Sequence, residues 1–494
     1  MEWTGTLILL LLAVFIFCHL LISPKRKQWH KGRLPPGPTP LPLIGNFLQI
    51  KPTETFKSLL KLREKYGPVF TVYFGTRPVL VLCGHQAVKE ALVDQAEEFS
   101  GRTTMPSWEP SFKGYGMGFS NGQRWKELRR FTYTALRNFG VGKKTIEERI
   151  QEEAQFLLEE FRNTKEKPFD PTFIFSWAFA NIICCITFGN RFDYEDKEFQ
   201  ALMVMTNQFF RAMSTSWAQI YNIYANYLNY IPGIYNNIYD CKDMKVFVAK
   251  RIKKNQETLD PNFPRDYIDY FLIQMEKEKD NPSSEFIIKN LEANVLNLII
   301  GGAEPGRSTS RYGFLLLIKY PEVQAKVHEE IDRVIGRNRV PNIEDRRQMP
   351  YTEAVIHEVQ RCSDVLPMDL IHMVIRDTEF RGYHIPKGTT VYPLLSTVLH
   401  DPTMFKSPNA FNPENFLDEN GRFKKSDAFV PFSAGKRICL GEGLARMELF
   451  LFFTTILQNF QLKSLIPLED IDLTPQMSGF YNIPPFYQLC AIPR

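Results

Sequence analysis

The stretch Phe432-Ser-Ala-Gly-Lys-Arg-Ile-Cys-Leu-Gly441 carries one thiol, Cys439, and a run of apolar residues at helical spacing begins just after it. A thiolate binds metal whereas a thiol does not, and positive charge nearby, here Lys436 and Arg437, lowers the pKa of a cysteine. The N-terminus of the predicted helix also favours an anion. We therefore predict a stabilised, metal-binding thiolate on a tight loop. The residues alone do not select the metal, and a buried structural thiol is the alternative.

The spacing Phe432-x-x-Gly435-x-Arg437-x-Cys439-x-Gly441 resembles the cysteine-ligand loop of the cytochrome P450 family, the haem-thiolate monooxygenases. The resemblance covers essentially the whole chain, and its detail is similar to the vertebrate microsomal family-2 members. It implies haem b (iron protoporphyrin IX) as the cofactor, with Cys439 as metal ligand and catalytic residue. It also implies that Phe432 and Arg437 bind the cofactor. In this family the thiolate pushes electron density towards iron, which favours O–O cleavage.

The composition is typical of one large folded unit. The chain has 494 residues, of which 44% are hydrophobic and 13% aromatic, and no Pro/Gly/Ser-rich linker or repeat interrupts its interior. A net charge of +5 without a concentrated basic motif argues against nucleic-acid binding. Eight irregularly spaced cysteines fit a reducing compartment rather than a disulfide framework. We predict a mainly α-helical P450 fold with small β-sheets, a single catalytic domain over residues 46–494, and a β-hairpin within Pro68–Leu82.

The first 45 residues predict a membrane anchor and a hinge. Residues 1–23 are mostly apolar over about the length that a bilayer-spanning helix needs. Basic residues follow at once, so the positive-inside rule places the rest of the chain in the cytosol. A cleaved signal peptide is the alternative, although no cationic side chain precedes the apolar run. Residues 24–45 then form a basic and proline-rich hinge, and the resemblance implies a single-pass anchor in the endoplasmic reticulum membrane.

Five side chains are predicted to bind the propionates of the haem. Trp125 and Arg129 are four residues apart and share a helix face, where an indole N–H and a guanidinium suit a buried carboxylate. Ordinary packing of a Trp–Arg pair is the alternative. The resemblance assigns the propionates to both residues, and likewise to Arg102, His372 and Arg437.

A long helix is predicted from Leu291 to Tyr320, interrupted at Gly301-Gly-Ala-Glu-Pro-Gly306. The resemblance aligns it with the family's helix over the haem, where a threonine usually follows the acidic residue. The acid here is Glu304, our candidate for proton delivery, and Pro305 replaces the threonine. Proline has no proton to donate and removes the backbone bond to Gly301, so we expect a kink and a freed carbonyl.

The missing threonine leaves three interpretations of function open. Water or a substrate hydroxyl can carry protons in its place, which keeps a monooxygenase acting on a lipophilic fatty acid, steroid or xenobiotic. Impaired oxygen activation would instead indicate an isomerase or dehydratase of pre-oxidised lipids such as hydroperoxides. A non-catalytic haem-binding membrane protein is the third interpretation.

The resemblance also implies electron donors, namely an NADPH-dependent cytochrome reductase, with cytochrome b5 as a further candidate. A basic face would steer such an acidic donor. The residues predicted for that face are Arg124, Lys126, Arg130, Arg422, Lys424, Lys425 and Lys436.

Three further segments carry predictions. The aromatic stretch Trp217–Tyr239 is expected to touch the membrane, because tyrosine and tryptophan favour the membrane–water boundary, and burial of these rings in the core is the alternative. The resemblance implies that the loop 103–121 covers the substrate cavity, with an apolar wall made of Met105, Trp108, Phe112 and Met117, and packing within the loop is the alternative. Glu358 and Arg361 match a buried structural pair of the family, whose three-way network we expect to be altered by Asn415.

Overall fold

A computed structural model of the chain describes residues 13–14 and 34–494, apart from 52–53, 142–143, 229 and 231–240. The described part is mainly helical with small sheets, which confirms the predicted fold class. The anchor predicted over residues 1–23 lies outside the described residues, 13–14 excepted. Among the helices described, none has the length and apolar character needed to cross a bilayer.

The helices, in chain order, are α1 (Thr55–Tyr66), α2 (Gly84–Lys89), α3 (Glu109–Phe112), α4 (Gly122–Asn138), α5 (Lys144–Asn163), α6 (Thr172–Phe188), α7 (Lys197–Met213), α8 (Ser216–Leu228), α9 (Lys242–Glu257), α10 (Tyr267–Lys277), α11 (Ile288–Lys319), α12 (Pro321–Val334), α13 (Pro350–Ser363), α14 (Ser396–Leu399) and α15 (Glu442–Asn459). The strands are β1 (Val69–Phe74), β2 (Arg77–Cys83), β3 (Gly101–Arg102), β4 (His372–Met373), β5 (Thr378–Phe380), β6 (Tyr383–Ile385), β7 (Thr390–Leu394), β8 (Phe460–Lys463), β9 (Met477–Ser478), β10 (Asn482–Ile483) and β11 (Cys490–Pro493).

The largest sheet has the strand order β1-β2-β7-β4-β3. Its first two strands form the predicted hairpin, and β2 pairs with β7 in parallel while the other pairs are antiparallel. Arg102 lies directly opposite His372 in the β3–β4 pair, so two residues distant in sequence meet at the sheet edge. The proline-rich segment lies along β1, where Thr71 donates its backbone N–H to Pro36 O at 3.0 Å.

The main hydrophobic core forms around α11 and α6. Helix α6 is apolar on nearly all sides, as expected for a helix buried on every face. Glycines on α11 let the two helices approach closely: a Cβ at Gly302 would lie 2.9 Å from Ile183, and one at Gly306 would lie 2.4 Å from Phe179. The glycine-rich run of α11 is therefore a packing surface.

The predicted interruption of the central helix is wrong, because α11 continues through Pro305 from Ile288 to Lys319. A proline inside a helix removes one hydrogen bond, and the bonds on either side preserve the helix when tertiary packing holds it. Packing of Gly302 and Gly306 against α6 supplies that support. The proline thus changes the local bonding of the helix without ending it.

Candidate active site

The cysteine loop is a tight turn that leads directly into α15. Residues Gly435–Arg437 form a single 3₁₀ turn, and Cys439 donates its backbone N–H to Phe432 O at 2.9 Å. Gly435 has a φ of 71°, and a Cβ there would lie 1.6 Å from Leu92 O. Only glycine fits this position, because both the left-handed backbone and the close approach exclude a side chain. The loop is therefore braced against the π-helical turn Glu90–Asp94.

The thiol of Cys439 is accessible although the surrounding protein is dense, so it faces an internal opening. Burial raises the pKa of the Cys439 thiol, while the backbone N–H of Gly441 and the charge of Arg129 oppose that rise. A coordinated metal ion lowers the pKa of a thiol, since a thiol that binds a metal loses its proton. A metal ion bound to Cys439 would offset the effect of burial on the pKa of the thiol.

The prediction that Lys436 and Arg437 lower the pKa of the thiol is wrong. Lys436 is half-exposed and pairs with Glu97 at 3.2 Å. Arg437 donates to Ser100 O at 2.7 Å and lies over the Trp125 ring at 3.8 Å from its centroid. Both side chains therefore bind partners other than the sulfur.

The structure brings the five predicted propionate ligands to one region beside the cysteine loop. Arg102 and His372 meet across the β3–β4 pair, and Arg437 stacks on Trp125. Arg129 donates to the carbonyl of Ile438, the residue before the cysteine. Phe432 belongs to the same loop and lies 5.6 Å from the guanidinium of Arg446.

Four of these residues carry a buried polar atom that has no hydrogen-bond partner in the described part of the chain. The atoms are Arg102 Nε, Trp125 Nε1, Arg437 Nη1 and His372 Nε2, of which the last makes no hydrogen bond but lies 3.4 Å from Asp369 Oδ2. Burying an unpaired polar group costs about 1–3 kcal/mol, so a cluster of them indicates a ligand. Three of the four are obligatory donors, which suit the oxygens of a carboxylate.

The charge of this region also favours an anion. Burial lowers the pKa of Arg102 to about 10, and burial together with Arg102 and Arg129 lowers that of Arg437 to about 8. Crowded guanidiniums are stabilised by a nearby negative charge. The residues therefore fit a haem, whose two propionates would pair with these cations.

Asp369 lies against His372 in this region, and the sequence analysis did not single it out. Its Oδ2 lies 3.4 Å from His372 Nε2 and accepts a hydrogen bond from Ser433 Oγ at 2.5 Å. His372 donates from Nδ1 to the carbonyl of Phe99 at 2.7 Å, which fixes the ring. The signal in the sequence was an acid three residues before the histidine.

The sequence pattern of the family described as "Cytochrome P450" matches residues 35–491. The chain belongs to the cytochrome P450 family. This P450 is 58% identical over 495 residues to cytochrome P450 2G1 of Oryctolagus cuniculus, covering 100% of both chains. It is 55% identical over 492 residues to cytochrome P450 2A13 of Homo sapiens, covering 99% of both, and 54% identical over 492 residues to cytochrome P450 2A4 of Mus musculus, covering 99% of this chain and 100% of the relative.

As a member of this family, the P450 is a monooxygenase that binds haem through a cysteine thiolate. When bound in this way, haem supplies activation of dioxygen, favoured by the electron density of the thiolate. The protein itself has to hold the cofactor, place the substrate and exclude water.

Three asparagines of α11 fasten the loop 103–121 over this region. Asn290, Asn294 and Asn297 accept backbone N–H groups from three successive residues of the loop, Gly116, Met117 and Gly118, at 3.1, 2.7 and 2.9 Å respectively. The spacing i, i+4, i+7 places the asparagines on one face of the helix. The loop is thus held at defined points along α11.

The side chains predicted to form an apolar wall occupy this loop. Trp108 and Phe112 are buried, and both rings contact Phe119, at 4.5 and 4.6 Å between centroids. Trp108 also meets Phe480 at 4.8 Å. Met105 and Met117 are partly buried against the same core.

Glu304 is buried, and its carboxylate pairs with Arg307 and accepts from Ser308 Oγ at 3.2 Å. Burial raises the pKa of Glu304, while Arg307 opposes the rise. Among the described residues, no hydrogen bond joins this carboxylate to the predicted cofactor-binding residues. The structure therefore places Glu304 in an ion pair separate from the cluster beside Cys439.

The Glu358–Arg361 pair is fully buried, with N–O distances of 2.7 Å. Asn415 joins it by donating from Nδ2 to Glu358 Oε1 at 3.1 Å. The carbonyls of Pro408 and Ala410 accept from Arg361 at 2.6 and 2.7 Å. Asn415 thus takes part in the network through its side-chain amide, which donates to the carboxylate of Glu358.

The predicted basic face is partly neutralised in the structure. Arg124 pairs with Glu285 at 2.7 Å, and Glu97 lies 3.2 Å from both Lys126 and Lys436. The remaining cations, Arg130, Arg422, Lys424 and Lys425, are exposed.

The aromatic stretch 217–239 divides into two parts. Tyr221 is buried, and Tyr224 donates to Ile44 O at 3.1 Å, so these rings anchor α8 to the protein. Tyr230 is 86% exposed. Tyr235 and Tyr239 lie outside the described residues.

Proposed function

We propose that this P450 inserts one atom of dioxygen into a lipophilic substrate, using electrons from an NADPH-dependent reductase, with the thiolate of Cys439 as the iron ligand. The observation that supports the proposal is the cluster of unpartnered polar atoms on Arg102, Trp125, His372 and Arg437, next to an accessible thiol. This cluster matches a flat cofactor that has metal at its centre and carboxylates at its edge.

Each residue of the cluster has a proposed task. Arg102 and Arg437 neutralise the propionates, while the indole N–H of Trp125 donates to one of them. Arg437 is itself held by Ser100 O and Ser120 O at 2.7 and 2.8 Å, which leaves Nη1 directed at the ligand. His372 lies beside these residues, with its ring held by Phe99 O and Asp369.

The substrate class follows from the aromatic wall. Trp108, Phe112 and Phe119 provide apolar surface, and pockets of this kind bind lipophilic molecules through burial with a few polar contacts. Fatty acids, steroids and xenobiotics share this character.

We infer the cellular setting from the unpaired cations and the N-terminal sequence. The exposed Arg130, Arg422, Lys424 and Lys425 suit an acidic reductase or cytochrome b5. The anchor predicted for residues 1–23 would hold the protein at the endoplasmic reticulum membrane. The role of Glu304 in proton delivery stays a prediction, since Arg307 and Ser308 occupy its carboxylate.

Reconstituted turnover tests the proposal. With NADPH, reductase and lipid vesicles, a hydroxylated product should form from a lipophilic substrate, and the reduced carbon monoxide complex should show the absorbance of a thiolate-bound haem. Cys439→Ser should lose that absorbance, because a neutral hydroxyl is a poor replacement for a thiolate. A product formed only from lipid hydroperoxide, without reductase, would show an isomerase instead. A haem-loaded protein that forms no product, either with NADPH and reductase or from lipid hydroperoxide, would refute both enzymes.

A further inference from the structure

One face of α11 is open where the rest of the helix is tightly packed. Gly301 is exposed, and Asn297 and Pro305, four residues before and after it, are half-buried. A Cβ at Gly301 would meet no heavy atom within 4 Å, whereas one at Gly302 or Gly306 would collide with α6. Since residues four apart share a helix face, a single strip of α11 borders open space.

On the same strip, the carbonyl of Gly301 lacks the N–H group that it would normally accept within the helix. In an α-helix the carbonyl of Gly301 accepts the N–H of residue 305, and Pro305 has none. Among the described residues, no side chain donates to Gly301 O. Carbonyls on the open side of a helix tilt outwards, so this oxygen is presented to the space beside the strip.

An acceptor of this kind needs a partner. A backbone carbonyl beside open space bonds a water or another molecule there, because leaving a strong acceptor unpaired is unfavourable. In the part of the chain that the structure describes, neither neighbouring side chain donates to it: Asn297 accepts Gly118 N at Oδ1 and makes no hydrogen bond from Nδ2 to this carbonyl, and Glu304 is bound to Arg307. The donor therefore has to come from the open space, from a water or from a bound molecule.

We propose that the Gly301 carbonyl is a substrate-orienting acceptor that favours lipophilic molecules with one hydroxyl or N–H group. This inference rests on the proposed function, because the open strip is taken to border the substrate cavity. A ligand with a donor bonds the carbonyl directly, whereas a ligand without one leaves the carbonyl to water or unpaired. A single polar contact in an apolar site fixes the orientation of the ligand.

Matched ligands and variants test the acceptor. Binding of 1-indanol and of its deoxy analogue indane is measured by titration calorimetry on the haem-loaded protein, and the affinity ratio is compared between variants. Pro305→Ala restores the N–H, so the preference for 1-indanol should fall about fivefold, the worth of one hydrogen bond. Gly301→Ala is the matched control. It leaves the Gly301 carbonyl without its helical donor, so the ratio of the affinities for 1-indanol and indane should stay the same, while the added methyl group lowers the affinity for both.

The outcomes distinguish the acceptor role of Gly301 from the proposed monooxygenase function. If Pro305→Ala keeps the haem spectrum of the parent and shows the same affinity ratio, the acceptor role is wrong and the monooxygenase proposal is unaffected. Failure of both ligands to bind the parent protein would overturn the lipophilic cavity and the acceptor with it. A crystal structure with 1-indanol gives a second measurement, in which the hydroxyl oxygen should lie at hydrogen-bond distance from Gly301 O.

Discussion

Replacing Arg307 by methionine is expected to destabilise the folded protein by about 3 kcal/mol. Arg307 and Glu304 are 2% and 3% exposed and pair one helical turn apart on α11. Methionine retains the unbranched apolar stem but leaves a buried carboxylate without its cation. Breaking one side of a buried ion pair costs about 3–5 kcal/mol. The lower end applies here, because Ser308 still donates to Glu304 and Arg311 adds positive charge nearby.

Two comparison variants isolate the effect of burial. The pair Glu159–Arg162 has the same residues at the same spacing, but both side chains are more than half exposed. Arg162→Met should therefore cost less than about 1 kcal/mol. In the double variant Glu304→Gln with Arg307→Met neither charge of the pair remains, so most of the lost stability should return, with a coupling energy above about 2 kcal/mol.

The destabilisation should depend on pH. Burial already raises the pKa of Glu304 above its ordinary value, and loss of Arg307 removes the charge that opposes this rise. A carboxyl group with a raised pKa in the folded state supports folding below its unfolded pKa, and that support is lost as pH rises through the folded pKa. Arg307→Met should therefore be more destabilised at pH 8 than at pH 5.

Urea denaturation followed by circular dichroism at both pH values measures these differences. A loss below 1 kcal/mol for Arg307→Met at pH 8, or a double variant no more stable than the single one, would refute the reasoning. Loss of stability that is the same at pH 5 and pH 8 would show that Glu304 is not the group left unpaired.

Three other variants test the packing and the loop. Gly306→Ala should cost about 1–3 kcal/mol in urea denaturation, because its Cβ would lie 2.4 Å from a phenylalanine ring, while Gly301→Ala should cost less. Gly435→Ala should lower the haem content per protein, measured by pyridine haemochrome absorbance, and Gly443→Ala, with open space for a Cβ, should not. Asn294→Ala removes the acceptor of a loop amide and should speed limited proteolysis within residues 103–121; an unchanged cleavage rate would contradict the fastening role.

Local chemistry made much of the fold and site predictable. The loop around Cys439 and the hairpin within 68–82 could be predicted because short motifs determine their own geometry. Arg102 and His372 were identified by resemblance, and the sheet register then placed them opposite each other.

The sequence was a poorer guide wherever the outcome depended on tertiary contacts. Lys436 is next to the motif, yet Glu97, far away in the chain, determines where it points. The central helix was predicted to be interrupted at Pro305, because a proline signal is local and the packing that maintains the helix is not. The ion pair between Arg307 and Glu304 was recognised only from the structure.

The brace between Gly435 and the turn Glu90–Asp94 bears on how the protein acquires its cofactor during synthesis. Arg102 and Trp125, two of the side chains proposed to hold the edge of the haem, leave the ribosome early, whereas His372, Arg437 and the proposed iron ligand Cys439 are translated late. Because domains are made from the N-terminus at a limited rate, a long interval separates the two halves of the binding site. The cofactor can be captured fully only after translation is nearly complete, so its supply acts on a finished chain rather than on a growing one.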